Sequence, residues 1–281
     1  MKFGFIGAGK LGVSLGKYFI SNDIKVSGYC SKNIVSTKEA SDFTNTKCYE
    51  SLEDLVLESD AIIISTPDSV IECVWDELKK LCIRGKIICH CSGVISSEVF
   101  SNIESLGAYG YSIHPMLAIS SRFDSYKNFS KAFFTIEGSV KYRHYFHRFF
   151  NTLGNECCII PSKNKVKYHL ACVRSSNLIL GLINKSVKEL VSLGFTEEKA
   201  LYAIVPLADL NMKSIKENGI VQSLTGPIER GDLKTIKSHF DVLDSVEDKE
   251  LYRLLSREVL NVALEKNKDR DYKEIIDYLG E

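Results

Sequence analysis

No apolar run in this 281-residue chain approaches the ~20 residues that a membrane helix needs, and the opening MKFGFIGAGKLG is broken by Gly and Lys before it can serve as a signal-peptide core. A cytoplasmic location, with no membrane contact, is therefore expected. Neither sign of charge prevails, because Lys plus Arg and Asp plus Glu number 36 each. Without a net field to gather nucleic acid or anionic lipid, a small molecule in a local pocket is the expected partner. The nine cysteines include no C-x-x-C pair and no repeating metal-ligand spacing, so no metal is expected and reduced thiols packed as small core residues explain them. A redox role stays open for Cys89 and Cys91, which share a strand face, and for the adjacent Cys157 and Cys158. Internal repeats, low-complexity tracts and long linkers are absent too.

What remains is an ordinary globular composition, 44% hydrophobic and 26% charged, in a chain long enough for two domains. Through residue 160, short apolar runs alternate with amphipathic stretches, the pattern of βαβ units. Strands are predicted at Lys2 to Ile6, Lys25 to Tyr29, Thr46 to Tyr49, Ala61 to Ser65, Lys86 to Cys91, Ala108 to Ser112, Ala132 to Glu137 and Glu156 to Ile160. Helices are predicted at Leu11 to Ser21, Ser51 to Glu58, Val70 to Cys82 and Lys141 to Leu153. The fold class expected is α/β, a doubly wound Rossmann sheet (1–160) followed by an all-α domain (161–281). Within the all-α domain a single long helix is predicted over Lys163 to Leu193, with others at Thr196, Val205 to Glu217, Leu233 to Phe240 and Asp248 to Glu265.

Gly7-Ala8-Gly9-Lys10-Leu11-Gly12 lies between the first strand and first helix, the setting in which G-x-G-x-x-G binds a dinucleotide. Gly7 permits the turn, Gly9 lets the backbone approach a pyrophosphate, Gly12 lets helix and strand pack closely, and the helix N-terminus attracts the phosphates. At the end of the second strand, where an acid would select NAD, the sequence reads Tyr29-Cys30-Ser31-Lys32-Asn33, with no carboxylate before Glu39. Ser31 and Lys32 suit the extra phosphate of NADP, although a solvated loop lysine reads the same way. Thr66-Pro67 and Ser92-Gly93 follow later strands and are expected to flank the ribose and nicotinamide. Asp68 is expected as the N-cap of the helix behind them.

These motifs, with Ser112-Ile113-His114-Pro115, resemble the superfamily of pyrroline-5-carboxylate reductase, ketopantoate reductase and deazaflavin-dependent NADP oxidoreductases. Tyr168-His169-Leu170-Ala171, Ser176-Asn177 and Leu224-Thr225-Gly226-Pro227-Ile228-Glu229-Arg230-Gly231-Asp232 resemble the Rossmann-like family whose C-terminal helical domain is one of unknown function. The resemblance spans nearly the whole chain. It implies NADP (NADPH) as cofactor and homodimerisation through the helical domain, but no substrate.

Catalysis with a nicotinamide needs a proton carrier at the substrate heteroatom. His114 is expected in a loop after its strand. His169, Val173, Ser176, Asn177 and Leu180 fall on one stripe of the predicted long helix, which makes His169 and Asn177 candidate catalytic groups and Ser176 a substrate contact. Polar residues satisfied within a dimer interface would give the same pattern. Related dehydrogenases place a Lys and an Asn on the equivalent helix; with Lys165 and Lys167 ahead of Tyr168-His169, the lysine's role either passes to His169 or is lost. Arg230 is a candidate clamp for a substrate carboxylate, or else an ion-pair partner of Glu229 or Asp232. The reading is an NADP-dependent oxidoreductase for a small polar metabolite; a non-catalytic NADP-binding sensor or scaffold that dimerises through its helices is the alternative.

Overall fold

A computed structural model describes residues 1–280. The chain runs β1 (Phe3–Ile6), α1 (Lys10–Ile20), β2 (Val26–Cys30), α2 (Ile34–Thr44), β3 (Lys47–Cys48), α3 (Leu52–Leu57), β4 (Ala61–Ile64), α4 (Asp68–Leu78), β5 (Ile87–His90), β6 (Tyr109–Met116), β7 (Phe133–Gly138), α5 (Val140–Thr152) and β8 (Cys157–Ile159). One sheet results, ordered β3-β2-β1-β4-β5-β6-β7-β8. The order reverses at β1, the switch point where ligands of open α/β sheets bind. Neighbouring strands from β3 to β6 are parallel; β7 turns back antiparallel to β6, and β8 runs parallel to β7.

The central strands are apolar along their whole length because both faces are covered. Phe3, Phe5 and Ile63 pack with Val13, Leu15 and Phe19 on one side. Ile62, Ile64 and Ile88 pack with Trp75 on the other. The two-residue period of the strands thus divides one continuous run between two cores.

Two expectations about the sheet need correction. β6 does not stop at Ser112 but continues to Met116, so His114 belongs to a strand, opposite Thr135 of β7, and not to a loop. The antiparallel partner extends it, and β5 pairs only as far as Ser112. Pro115 therefore stands where β6 has a neighbour on one side alone, the edge setting that proline tolerates. Asp68 is the first residue of α4 and not its cap, which is Pro67.

Past the sheet come α6 (Lys165–Arg174), α7 (Asn177–Ser192), α8 (Glu197–Ser223), α9 (Pro227–Arg230), α10 (Leu233–Asp241), α11 (Val246–Lys266) and α12 (Lys273–Gly280), with α8 interrupted at Gly219. The single helix expected over Lys163 to Leu193 is broken between α6 and α7. At the break the hydroxyls of Ser175 and Ser176 turn back onto the carbonyl oxygens of Ala171 and Cys172, competing with the helical ladder. His169 and Asn177 consequently sit on different helices, and a stripe drawn on one continuous helix does not exist.

By compactness the chain divides into Met1–Ile179 and Leu180–Glu281, so α6 groups with the sheet. In the second unit Ile228, Ile236, Phe240, Leu260, Ala263, Tyr272, Ile275 and Leu279 form the core. The Leu-Thr-Gly-Pro-Ile-Glu-Arg-Gly-Asp stretch accounts for itself there. Pro227 starts α9 behind Gly226, Gly231 ends it at φ 77°, and Asp232 caps α10 through the backbone N–H of Thr235. Among the described residues no helix is long and apolar enough to cross a membrane.

Candidate functional site

At the carboxyl ends of β1, β2 and β4 lies a cleft of about 810 Å³, lined by Gly7, Ala8 and Gly9, by Ser31 and Lys32, and by Thr66 and Pro67. Three features suit a dinucleotide phosphate. Gly9 caps α1 with no side chain of its own, and nothing lies within 4 Å of where a Cβ would stand. The first turn of α1 carries no acid, so its free N–H groups face the cleft uncompensated. Thr66 Oγ1 is buried without a hydrogen-bond partner, a cost that a ligand would remove. Gly12 serves packing: a Cβ there would come within 2.2 Å of Ser65 Oγ. Leu11 packs against the core and Lys10 is exposed.

At the β2 end of the cleft, Ser31 Oγ is engaged by the Asn33 carbonyl at 3.0 Å and the Thr37 hydroxyl at 2.9 Å, while Lys32 stays exposed. Tertiary structure adds two carboxylates to the lining, Glu50 and Glu77. Outside that lining, Arg122, from the segment between β6 and β7, binds Glu39 and the Ser36 carbonyl on α2. The distance in sequence hid both carboxylates.

A second cluster forms beyond the ends of β5 and β6. Ser92 Oγ donates to Asp68 Oδ2 at 2.7 Å and accepts from the N–H groups of Val94 and Ile95, which fixes the turn that holds Gly93. The fully buried His90 accepts from Ser92 N–H at Nδ1 and faces the Ser96 carbonyl through Nε2. Burial pulls His90 down to about 4, aided by the nearby Lys165 charge and opposed by the Ser96 hydrogen bond and Asp68. Gly93 lets both rings close over the turn, since a Cβ would come within 2.6 Å of His169 Cδ2 and 3.0 Å of His114 Nε2 and displace them. The structure thus brings His114, His169 and the Ser92-Gly93 turn together, and Tyr168 joins them, its hydroxyl 2.7 Å from His114 Nδ1.

Lys165 is the residue that sequence reasoning passed over. It is 1% exposed, and its ammonium donates to the Ser92 carbonyl at 2.8 Å and the Ser112 hydroxyl at 2.7 Å. Burial lowers it to about 8 against the pull of Glu137, Cys91 and Asp68, so the charged form persists at neutral pH. Lys163 and Lys167 on either side are exposed. The one available signal was the i, i+4 spacing that puts Lys165 and His169 on one face of α6.

Asn177 and Ser176 are exposed at the break before α7, where Ser176 Oγ bonds Asn177 Oδ1 at 3.1 Å. Arg230, in the second unit, is exposed and forms no ion pair among the described residues; Glu229 instead faces Lys266 and Arg270. The described residues contain no group of three or more His, Cys, Asp or Glu placed to hold a metal ion.

Residues 1–115 match the family model of a Rossmann-like domain, and residues 132–259 match that of a domain of unknown function, DUF2520. The two matches cover successive parts of the chain. Among solved structures it is similar to protein TM1727 of Thermotoga maritima, at 24% identity and a TM-score of 0.76, over 94% of this chain and 99% of that one. It is similar also to BF3122 of Bacteroides fragilis, assigned as an NADP oxidoreductase, at 22% identity and a TM-score of 0.71, over 92% and 98%. A pyrroline-5-carboxylate reductase of Coxiella burnetii follows at 13% identity and a TM-score of 0.63, over 94% and 97%. No curated protein matches the chain.

Proposed function

We propose that this protein is an NADP-dependent oxidoreductase of a small polar metabolite. The observation that carries the reading is the juxtaposition, at adjacent strand ends, of a phosphate-ready cleft holding the unpartnered Thr66 hydroxyl with a cluster of two histidines on Gly93. The fold shared with an NADP oxidoreductase supports it. Gly7, Ala8, Gly9 and the α1 N-terminus would hold the pyrophosphate, Ser31 and Lys32 the adenosine phosphate, and Thr66, Pro67, Ser92 and Gly93 the ribose and nicotinamide end. NADPH, when bound, supplies the hydride. His169 and His114 manage the accompanying proton at the substrate heteroatom, and Asn177 and Ser176 orient the substrate. Lys165 joins them as the buried charge beside both histidines.

A homodimer in the cytoplasm belongs to the same proposal. Its support is the apolar surface of α7 and α8, where Leu180, Leu207 and Leu210 are each more than 60% exposed. A thermal-shift screen tests the function: NADPH at saturating concentration should raise the melting temperature, and NADH should do so less. No shift with either cofactor would reject the reading.

A further inference from the structure

We propose that His90 is a positioning residue: with no surface open to a ligand, it fixes the Ser92-Gly93 turn against His114 and His169, and through that turn the nicotinamide end of the cofactor site. The cofactor half of this inference rests on the oxidoreductase reading. The hold on the turn does not.

A backbone N–H can only donate, so the Ser92 amide, 3.2 Å from His90 Nδ1, makes that nitrogen the acceptor. The ring hydrogen is therefore on Nε2, which donates to the Ser96 carbonyl at 3.2 Å. Both ends of the loop from Ser92 to Ser96 are thereby tied to one ring. Burial pulls His90 down to about 4 and so keeps it neutral, the form whose Nδ1 is able to accept. Packing fixes the ring: Phe100 lies 5.3 Å away, centroid to centroid, and Trp75 packs against Phe100 at the same spacing.

Ser92 spends its polar groups on the protein. Its hydroxyl donates to Asp68 and accepts from the N–H groups of Val94 and Ile95, and its carbonyl accepts from Lys165 and from Ser112 Oγ. With the N–H held by His90, what Ser92 contributes is the placement of Gly93, whose missing side chain leaves room for the rings of His169 and His114. The side chains that set this placement come from separate elements: Asp68 from α4, His90 from β5, Ser112 from β6 and Lys165 from α6. Among them His90 alone holds the Ser92 N–H, and at 0% exposure its effect on a ligand is transmitted through the turn. A turn that shifts carries its ligand-facing surface with it.

The test sets NADP+ against adenosine 2′,5′-bisphosphate, which has the adenosine end and no nicotinamide, by calorimetric titration of the full chain. His90→Asn keeps an oxygen near the Nδ1 position for the Ser92 amide and loses the Ser96 bond, whereas His90→Gln reaches the Nε2 position and loses the Ser92 bond. Each variant gives up one buried bond and should melt lower, so a purely structural histidine would treat the two alike. His90→Gln should weaken NADP+ about tenfold and leave the bisphosphate unchanged, while His90→Asn binds both as the native protein does. NADP+ affinity that is native in His90→Gln, equal in the two variants, or lost together with that of the bisphosphate overturns the proposal. In the free proteins the Ser92 amide hydrogen should exchange slowly in native and His90→Asn and about tenfold faster in His90→Gln. Equal exchange rates overturn the proposal as well. If a variant does not fold, 15N-histidine spectra of the native chain decide: a hydrogen on Nε2 of His90 supports the hold on Ser92, and one on Nδ1 overturns it. A native protein that binds neither ligand rejects the oxidoreductase reading, and the exchange rates then decide the hold on the turn by themselves.

Discussion

The ammonium of Lys165 on α6 donates to the hydroxyl of Ser112 on β6 across 2.7 Å, inside a site from which water is excluded. Lys165→Met removes the charged donor from that hydroxyl and from the Ser92 carbonyl, which then keep only their mutual hydrogen bond at 3.1 Å, a loss of about 1–3 kcal/mol, partly offset because a buried charge is removed. Ser112→Ala removes one neutral partner and should cost less. Urea midpoints should therefore rank native, Ser112→Ala, Lys165→Met. The reverse order would show that the lysine is not held by these bonds.

The cofactor preference should turn on Lys32, since Ser31 already spends its hydroxyl on Asn33 and Thr37. Lys32→Glu should weaken NADPH and strengthen NADH, shifting the ratio of dissociation constants by about tenfold or more. Equal affinities for the two cofactors in the native protein would remove the basis for this expectation.

His169→Gln should leave NADPH binding and melting temperature close to native while turnover falls on the order of a hundredfold, once a substrate is in hand. Asn177→Ala, at an exposed position on a separate helix, should act through substrate positioning and raise KM more than it lowers kcat. A His169→Gln protein of full activity would exclude a catalytic role.

Acid should destabilise the fold through His90 and His114, both held near 4 by burial. Their folded values lie below the unfolded value of about 6.5, so the unfolded chain binds more protons between these limits. The stability they confer is complete above about 6.5 and is lost as pH falls toward 4, on the order of 2–3 kcal/mol for each. Melting temperature should drop between pH 7 and pH 5, and His90→Gln should flatten that slope. A profile that is level over this range would contradict the buried neutral state.

Light scattering at micromolar concentration should give the mass of two chains if the apolar surface of α7 and α8 is an interface. Replacing Leu207 and Leu210 together by Lys should yield one-chain particles that still bind NADPH. A native mass of one chain rejects the dimer.

Local signals made the first domain legible. Gly7, Gly9 and Gly12 act within one turn, and strands such as Ala61–Ile64 announce themselves because a strand buried on both faces is continuously apolar. Asp232 and Thr196 cap their helices with hydrogen bonds three residues away, which a sequence states directly. Tertiary structure decided the rest, because the deciding contacts are remote. Whether Lys163, Lys165 or Lys167 was the buried one depended on acceptors 73 and 53 residues from Lys165. His114 became a strand residue because β7 paired with β6, and Glu50 reached the cleft at the ends of β1, β2 and β4 only once β3 had joined the sheet. Burial, which shifts the protonation of Lys165, His90 and His114, belongs to no residue alone; it arises when elements distant in the chain close over them and exclude water.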